Sequence, residues 1–314
     1  MSLPLTEGVI SSKDHRPHKP GVAGSSPAAA SYLNVSVTHG EPNGDYHADK
    51  THLSSSVIRD FLKSGPAYFH RRHVSLLDSP FESDAMARGT LVHLLMELGR
   101  EAFGERAKII PEAYLTAGGA LSTKADAKKW VADQDPNAIL LTPADSSFLG
   151  EVLSQFDQNK AVTELYSKIE HREVSIRWQT VEGYKLKCRP DAITSDGVVI
   201  DYKTTKLANP KKDFWLACRD WGYHISGALY EEGSKAAGFS DKPLTYIVIS
   251  TVSPYLVQAV TIPRRLVDLG RKKLERAIAD IHARMSFDHW VPEAYDSVEE
   301  CEVPAWFYRQ EEEA

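Results

Sequence analysis

The sequence predicts an α+β fold, a mostly antiparallel or mixed central sheet flanked by helices. Three observations predict it. Runs of alternating polarity at 173–178, 184–189 and 198–203 are separated by turn pairs at Glu182-Gly183 and Asp196-Gly197. Two further apolar β-runs, 244–251 and 256–262, surround a turn at Ser253-Pro254. Segments with helical spacing stand on both sides of this β-rich stretch.

The elements follow in order. Residues 1–45 carry Pro17, Pro20, Gly21, Gly24, Ser25, Ser26 and Pro27 and offer little to bury, so a disordered tail is expected there. One folded domain is expected from Tyr46 to residue 314. Ser54, Ser55 or Ser56 caps a helix that sets Val57, Ile58, Phe61 and Leu62 on one side. Gly65-Pro66 ends or re-aims that helix, and 67–72 reads as another helical turn. Asp84 caps a longer helix through about residue 100, with Leu91, Leu94, Leu95 and Leu98 at helical spacing. Residues 101–165 read as mostly helical and peripheral, with Trp130 and Phe148 as packing anchors. After the first three strands a helix is expected from Lys211 to about Lys235. Pro263 then opens a long helix carrying Leu266, Leu269, Leu274, Ile278 and Ile281, and the last residues, with Trp290, Trp306 and Phe307, form an irregular extension.

Composition narrows the function classes. The chain has 314 residues, 42% hydrophobic and 25% charged, which is ordinary for a globular protein. No apolar run is long enough to span a bilayer, and the first residues lack the apolar core of a secretory signal, so a cytoplasmic protein without membrane contact is expected. Cys188, Cys218 and Cys301 follow no CxxC spacing, which argues against a disulfide framework or a structural zinc site. The net charge of −6 argues against a non-specific nucleic-acid coat but leaves room for a local basic channel.

The chemistry concentrates in 189–205. Asp201 and Lys203 are two residues apart on one strand and therefore face the same way. Asp191 precedes the Asp196-Gly197 hairpin, which can bring it alongside them. Two carboxylates beside one lysine form a hard-cation site next to a fixed positive charge, a combination suited to metal-assisted phosphodiester hydrolysis. The bland alternative is a surface ion pair, but charge interrupting an apolar β-run is costly unless it is used. His93, one turn beyond the small Gly89 and Thr90, can add a nitrogen ligand or be an ordinary helix histidine. Glu173 can ligate a second metal, hold a water or face solvent. Among the basic clusters, Lys206, Lys211 and Lys212 follow the candidate metal strand most directly and are the best candidates for phosphate contact. Tyr223 and Tyr230 can stack on bases or pack on the sheet.

Four stretches carry a resemblance. They are 46–56 with 64–68, Met86-Ala87-Arg88-Gly89-Thr90-Leu91-Val92-His93, Cys188-Arg189-Pro190-Asp191 with Ile200-Asp201-Tyr202-Lys203-Thr204-Thr205, and 222–230. In order and spacing they resemble the PD-(D/E)xK nuclease superfamily, specifically the RecE-type (exodeoxyribonuclease VIII) exonucleases of phages and prophages, over about residues 46–310. The resemblance implies a PD-(D/E)xK core and a Mg²⁺-dependent exonuclease, with Mn²⁺ as a substitute. It implies resection of double-stranded DNA ends from the 5′ side to leave 3′ single strands for recombination, in a bacterial host cell. It assigns Asp191, Asp201, the Tyr202 carbonyl and His93 to metal, Lys203 to the attacking water and the charge developing on the phosphate, and Glu173 to the metal shell. It places Arg88, Lys206, Lys211, Lys212, Tyr223, Ser226 and Tyr230 on the DNA side. It further implies a closed homo-oligomer and a single-strand annealing partner. One departure stands out: Ser226 occupies a position where the family usually has glutamine, so water or His224 has to substitute, or that contact is weaker. The alternatives are an endonuclease of the same superfamily, in repair or restriction, and a non-catalytic DNA-binding protein on a decayed nuclease fold.

Overall fold

The computed structural model describes residues 32–76, 84–239, 242–291, 297–298, 300–301 and 303–312. Residues 1–31 of the expected tail lie outside them, but the end of that tail is a strand, which moves the start of ordered structure back from Tyr46. β1 (Tyr32–Thr38) pairs antiparallel with β5 (Ser175–Thr180). The alternation in Tyr-Leu-Asn-Val-Ser-Val-Thr favours a strand locally, and averaging over the Pro- and Gly-rich segment before it hides the signal. α1 (Asn43–Ala48) follows and buries Tyr46.

α2 (Ser55–Phe69) starts after the N-cap residue Ser54 and buries Ile58, Phe61 and Phe69. Gly65, at φ 78°, re-aims the chain ahead of Pro66, and a π-helical turn at His70–Val74 closes the segment. α3 (Asp84–Leu98) buries Val92, Leu95 and Met96, whereas Leu91, Leu94 and Leu98 are only half-buried. The buried face is thus rotated by about one residue from the leucine spacing, because the helix lies on a sheet whose apolar side meets Val92 and Met96.

α4 (Arg100–Arg106), α5 (Ala125–Ala132), α6 (Pro143–Gln158) and α7 (Lys160–Ser167) confirm a helical middle region. It also holds a short parallel pair, β2 (Ala107–Ile109) with β3 (Ile139–Leu141), too brief to show an alternation. Phe148 is buried in the core, and Trp130 stacks on Tyr114 at 5.5 Å.

The remaining strands are β4 (Ile169–Arg172), β6 (Lys185–Cys188), β7 (Ala192–Thr194), β8 (Val199–Thr205), β9 (Thr245–Ser250) and β10 (Val257–Thr261). They build two main sheets: a three-stranded one in the order β1-β5-β6 and a five-stranded one in the order β10-β9-β8-β7-β4. β8 and β9 are parallel and the other pairs in these sheets antiparallel, so the larger sheet is mixed. Between β4 and β7 the chain changes sheets twice, at Glu173 between β4 and β5, and at Arg189-Pro190-Asp191 between β6 and β7. Glu173 takes a left-handed φ of 50° at its crossing. The crossings are bonded to each other, Glu173 N–H donating to Asp191 O at 3.1 Å.

The helix expected over 211–235 is two helices, α8 (Pro210–Trp221) and α9 (Tyr223–Ala236), broken at Gly222 with φ 66°. α10 (Arg264–Phe287) follows the N-cap residue Pro263 and buries Val267, Leu274, Ala277, Ile278 and Ile281; Leu269 is exposed. The terminal segment adds a helix, α11 (Ala305–Glu312), where an irregular extension is expected. Trp290 packs on Phe69 at 5.6 Å, while Trp306 and Phe307 stay exposed. One core joins the small sheet and one face of the large sheet to α2, α9 and α10, and a second joins the other face of the large sheet to α3 and α6. Among the described residues no helix is long and apolar enough to cross a membrane.

Arg177 on β5 ties the α1 region to the small sheet. Its guanidinium lies 2.7 Å from Glu41 and 2.8 Å from Asp49 and covers the Tyr46 ring. Arg177 holds the Glu41 carboxyl below the ordinary carboxylate value. Burial pushes Asp49 up, but hydrogen bonds from Arg177, Thr51 and His52 outweigh it and hold Asp49 lower still. Carboxylates depressed in the folded state add stability that is present above their unfolded value, near pH 4, and lost as pH falls through the folded values. Arg177→Met is therefore expected to melt below wild type at pH 7, with the gap closing as pH falls below about 4. Thermal melts across that range check this, and a gap independent of pH contradicts it.

Candidate active site

β8 carries the first part of the site. Val199 and Ile200 are buried among apolar neighbours, and the same strand then delivers Asp201, Tyr202 and Lys203 at the end of that core. Asp201 is 2% exposed. Its Oδ2 accepts no hydrogen bond of good geometry, yet it forms a tight ion pair with Lys203 Nζ. The same ammonium donates to Tyr202 O at 3.1 Å.

Asp191 comes from the sheet crossing that precedes β7. Tyr202 N–H donates to its Oδ2 at 2.6 Å, and His93 Nδ1 of α3 stands 3.6 Å from its Oδ1. Gly89, one helical turn before His93, lets α3 approach β8: a Cβ there would lie 3.1 Å from Thr204 Oγ1. Glu173 arrives from the other crossing and faces Arg189 Nε at 2.7 Å. Arg189 also donates to Asn43 Oδ1 at 3.2 Å. These groups line a single cleft of about 700 Å³.

The electrostatics follow from burial and pairing. Burial pushes the Asp201 carboxyl up, and the nearby Asp191 charge adds to this, against the pull of Lys203. Burial also favours neutral Asp191, but His93, Lys203 and the Tyr202 amide outweigh it and hold Asp191 low. Lys203 is raised because Asp201 and Asp191 overcome its desolvation, so it is a fixed cation near neutral pH. His93 is raised in the same way, Asp191 winning over burial. Glu173 is pushed up to about 7, by burial first and Asp191 second, against the pull of Arg189.

The structure thus brings Asp191, Asp201, Tyr202, Lys203, His93 and Glu173 together. Of the residues expected on the DNA side, Tyr223, Ser226 and Tyr230 line the cleft. Tyr230 OH donates to Arg189 O at 3.3 Å, and Tyr223 stacks on Phe214 at 5.7 Å, with Arg59 and Lys203 each 5.6 Å from its ring centroid. The others lie elsewhere. Arg88 is half-buried with its guanidinium over the Phe148 ring at 5.2 Å, so it packs against α6. Lys206, Lys211 and Lys212 are exposed and stand outside the cleft lining. Asn209 caps α8 by accepting from Lys212 N–H, which turns the Lys211–Lys212 pair into a helix start. His224 does not replace the missing glutamine: its Nδ1 is engaged with Cys218 O at 2.9 Å, away from the cleft lining.

Sequence reasoning missed Arg59, Asn43, Arg189 and Glu97 in the lining. Arg59 had a faint signal, one turn beyond Ser55 at the start of a predicted helix. The signal for Arg189 was its place inside the Cys-Arg-Pro-Asp motif. Asn43 and Glu97 had none.

A hard divalent cation fits this donor set. Asp201 Oδ2 and the Tyr202 carbonyl already converge on one positive group, the Lys203 ammonium, and Asp191 is held ionised beside them. Among the described residues no three His, Cys, Asp or Glu side chains form a ready-made metal cage, which is consistent with Lys203 occupying the carboxylate.

The chain matches the model of the PDDEXK-like domain of unknown function (DUF3799) over residues 54–304. Among solved structures it is similar to the "Putative exonuclease" from Eubacterium rectale, with a TM-score of 0.57 and 14% identity, covering 87% of this chain and 97% of that one. At that identity the likeness concerns the fold. No curated protein matches the sequence. Because the matched span takes in most of the chain and every site residue from His93 to Tyr230, the protein belongs to the PDDEXK-like domain family and folds as a PD-(D/E)xK nuclease core.

Proposed function

We propose that the protein is a divalent-metal-dependent exonuclease of the RecE type, which resects double-stranded DNA ends from the 5′ side to leave 3′ single strands. The observation that carries this reading is the meeting of Asp191, Asp201, Lys203 and His93 in one cleft, contributed by one strand, a sheet crossing and a helix. Asp191, Asp201 and the Tyr202 carbonyl would hold Mg²⁺ or Mn²⁺, with His93 completing that set or serving a second ion. Such an ion, when bound, supplies Lewis-acid activation of a phosphodiester and of water.

The chain's own residues do the rest. Lys203, kept protonated by its two aspartates, orients a water through N–H donation and offsets charge gathering on the phosphate. Arg189, fixed by Asn43 and Glu173, presents a second cation on the cleft wall. The Tyr223 ring, backed by Phe214, gives a flat apolar surface beside Lys203. A closed ring of subunits and a single-strand annealing partner belong to the same proposal.

Linear duplex DNA labelled separately at each 5′ and 3′ end tests this reading, with Mg²⁺ or EDTA and a covalently closed circle as control. The expected result is Mg²⁺-dependent release of the 5′ label with circles left intact. Cut circles would identify an endonuclease, and DNA binding without any cleavage would identify a non-catalytic binder.

A further inference from the structure

A second groove, of about 530 Å³, runs behind the cleft between α2, the α8–α9 break and α10. Its lining includes Arg59, Lys63, Lys273, Arg276 and Trp221. Two carboxylates also line it, but both are engaged: Asp60 holds His73 at 3.0 Å, and Asp220 holds Arg219 at 2.6 Å. Lys273 and Arg276 are exposed and take no carboxylate partner among the described residues. A chain with a net charge of −6 therefore concentrates uncompensated positive charge here. Trp221 is 58% exposed, with Lys63 Nζ 4.9 Å from its ring centroid. An exposed tryptophan among unpaired cations is an arrangement that binds a nucleic-acid strand, phosphates on the cations and a base on the ring.

The groove connects physically to the catalytic cleft. Arg59 lines both. Its guanidinium donates to Trp221 O at 2.6 Å and lies 5.6 Å from the Tyr223 ring centroid, with Lys203 Nζ at the same distance from that ring. Gly222 makes the passage: a Cβ there would meet Arg59 Cδ at 3.0 Å.

We propose that this groove is a single-strand DNA subsite, holding a strand that continues from the cleft past Arg59 and stacks a base on Trp221. It rests on the nuclease reading for the identity of the strand. A duplex occupant is the rival outcome, since stacking on Trp221 requires an unpaired base.

The test uses the full chain with a short fluorescent oligothymidine, read by anisotropy in EDTA so that no cleavage occurs. Two variants are compared with wild type, Trp221→Ala and the double replacement Lys273→Ala with Arg276→Ala. All three positions are exposed, and thermal melts confirm folding. In parallel, hydrolysis of bis(p-nitrophenyl) phosphate with Mn²⁺ reports on the cleft alone. Each variant is expected to weaken oligothymidine binding about tenfold or more, with Trp221→Phe recovering most of the loss. The double variant is expected to flatten the slope of log affinity against log salt by about one to two. Turnover of the small diester stays at the wild-type level. Unchanged oligothymidine affinity in all variants overturns the proposal, as does a loss confined to duplex binding. Absent diester hydrolysis alongside the expected binding losses would sink the catalytic reading and leave the subsite standing.

Discussion

Asp201→Asn is expected to lower metal-dependent DNA hydrolysis by at least about a thousandfold, the scale of losing a principal charge-stabilising group in a nuclease site. The melting temperature should hardly fall. Folding raises the Asp201 carboxyl above its ordinary value, through burial and the Asp191 charge. A carboxyl raised on folding is one whose charged form the fold resists, so its contribution to stability is greater when neutral. Asparagine supplies the neutral form at nearly the same volume. Lys203 loses one partner but keeps the attraction of Asp191 and its bond to Tyr202 O. End-labelled digestion and a melt on one preparation settle the matter. Near-wild-type turnover would remove Asp201 from the chemistry, and a collapsed melt would make it a structural residue.

Gly270→Ala is expected to be among the most destabilising single changes in the chain. Where α10 crosses α9, a Cβ at Gly270 would stand 2.2 Å from His224 O and 2.6 Å from its carbonyl carbon. Those are backbone atoms in the first turn of α9 and cannot turn aside as a side-chain tip can. The two helices must separate, which opens the core around Leu274, Ile278 and Leu229. Overpacking in a core costs about 1–3 kcal/mol and more where backbone has to move, so a loss of about 3 kcal/mol or failure to accumulate as folded protein is expected. Alanine favours a helix over glycine by about 1 kcal/mol, so a melt at or above wild type would show that the helices part freely. Urea denaturation of the variant measures the difference.

The β-rich centre was legible because local signals agreed: alternation in 173–178 and 184–189, and the turn pairs Glu182-Gly183 and Asp196-Gly197, all correspond to elements found. Asp201 and Lys203 were legible as charges interrupting an apolar β-run, and Asp191 from its place before the Asp196-Gly197 hairpin. What sequence spacing could not give was tertiary. It read 173–203 as part of one central sheet, whereas Pro190 falls between strands of different sheets. It grouped Arg88, Lys206, Lys211 and Lys212 with the cleft residues, whereas Arg88 lies over the Phe148 ring and the three lysines are exposed outside the cleft lining. It averaged β1 into the tail, because the strand's partner, β5, lies far along the chain. Arg59 was passed over because its meaning depends on Gly222, which no local window contains with it.

The joined sheet crossings give the molecule a seam. Asp191 belongs to one crossing and Glu173 to the other, and the bond from Glu173 N–H to Asp191 O stitches them. The large sheet is packed on both faces, one in a core shared with the small sheet and the other in the core with α3 and α6, and the carboxylates stand at its junction with the small sheet. Packing errors in either core reach the same few atoms: a loosened α9–α10 contact acts through the shared core, and a loosened α3 acts through His93 and β8. Substitutions far apart in the chain can therefore converge on one disabled phenotype, and a second substitution that retightens the seam can rescue damage it never touches.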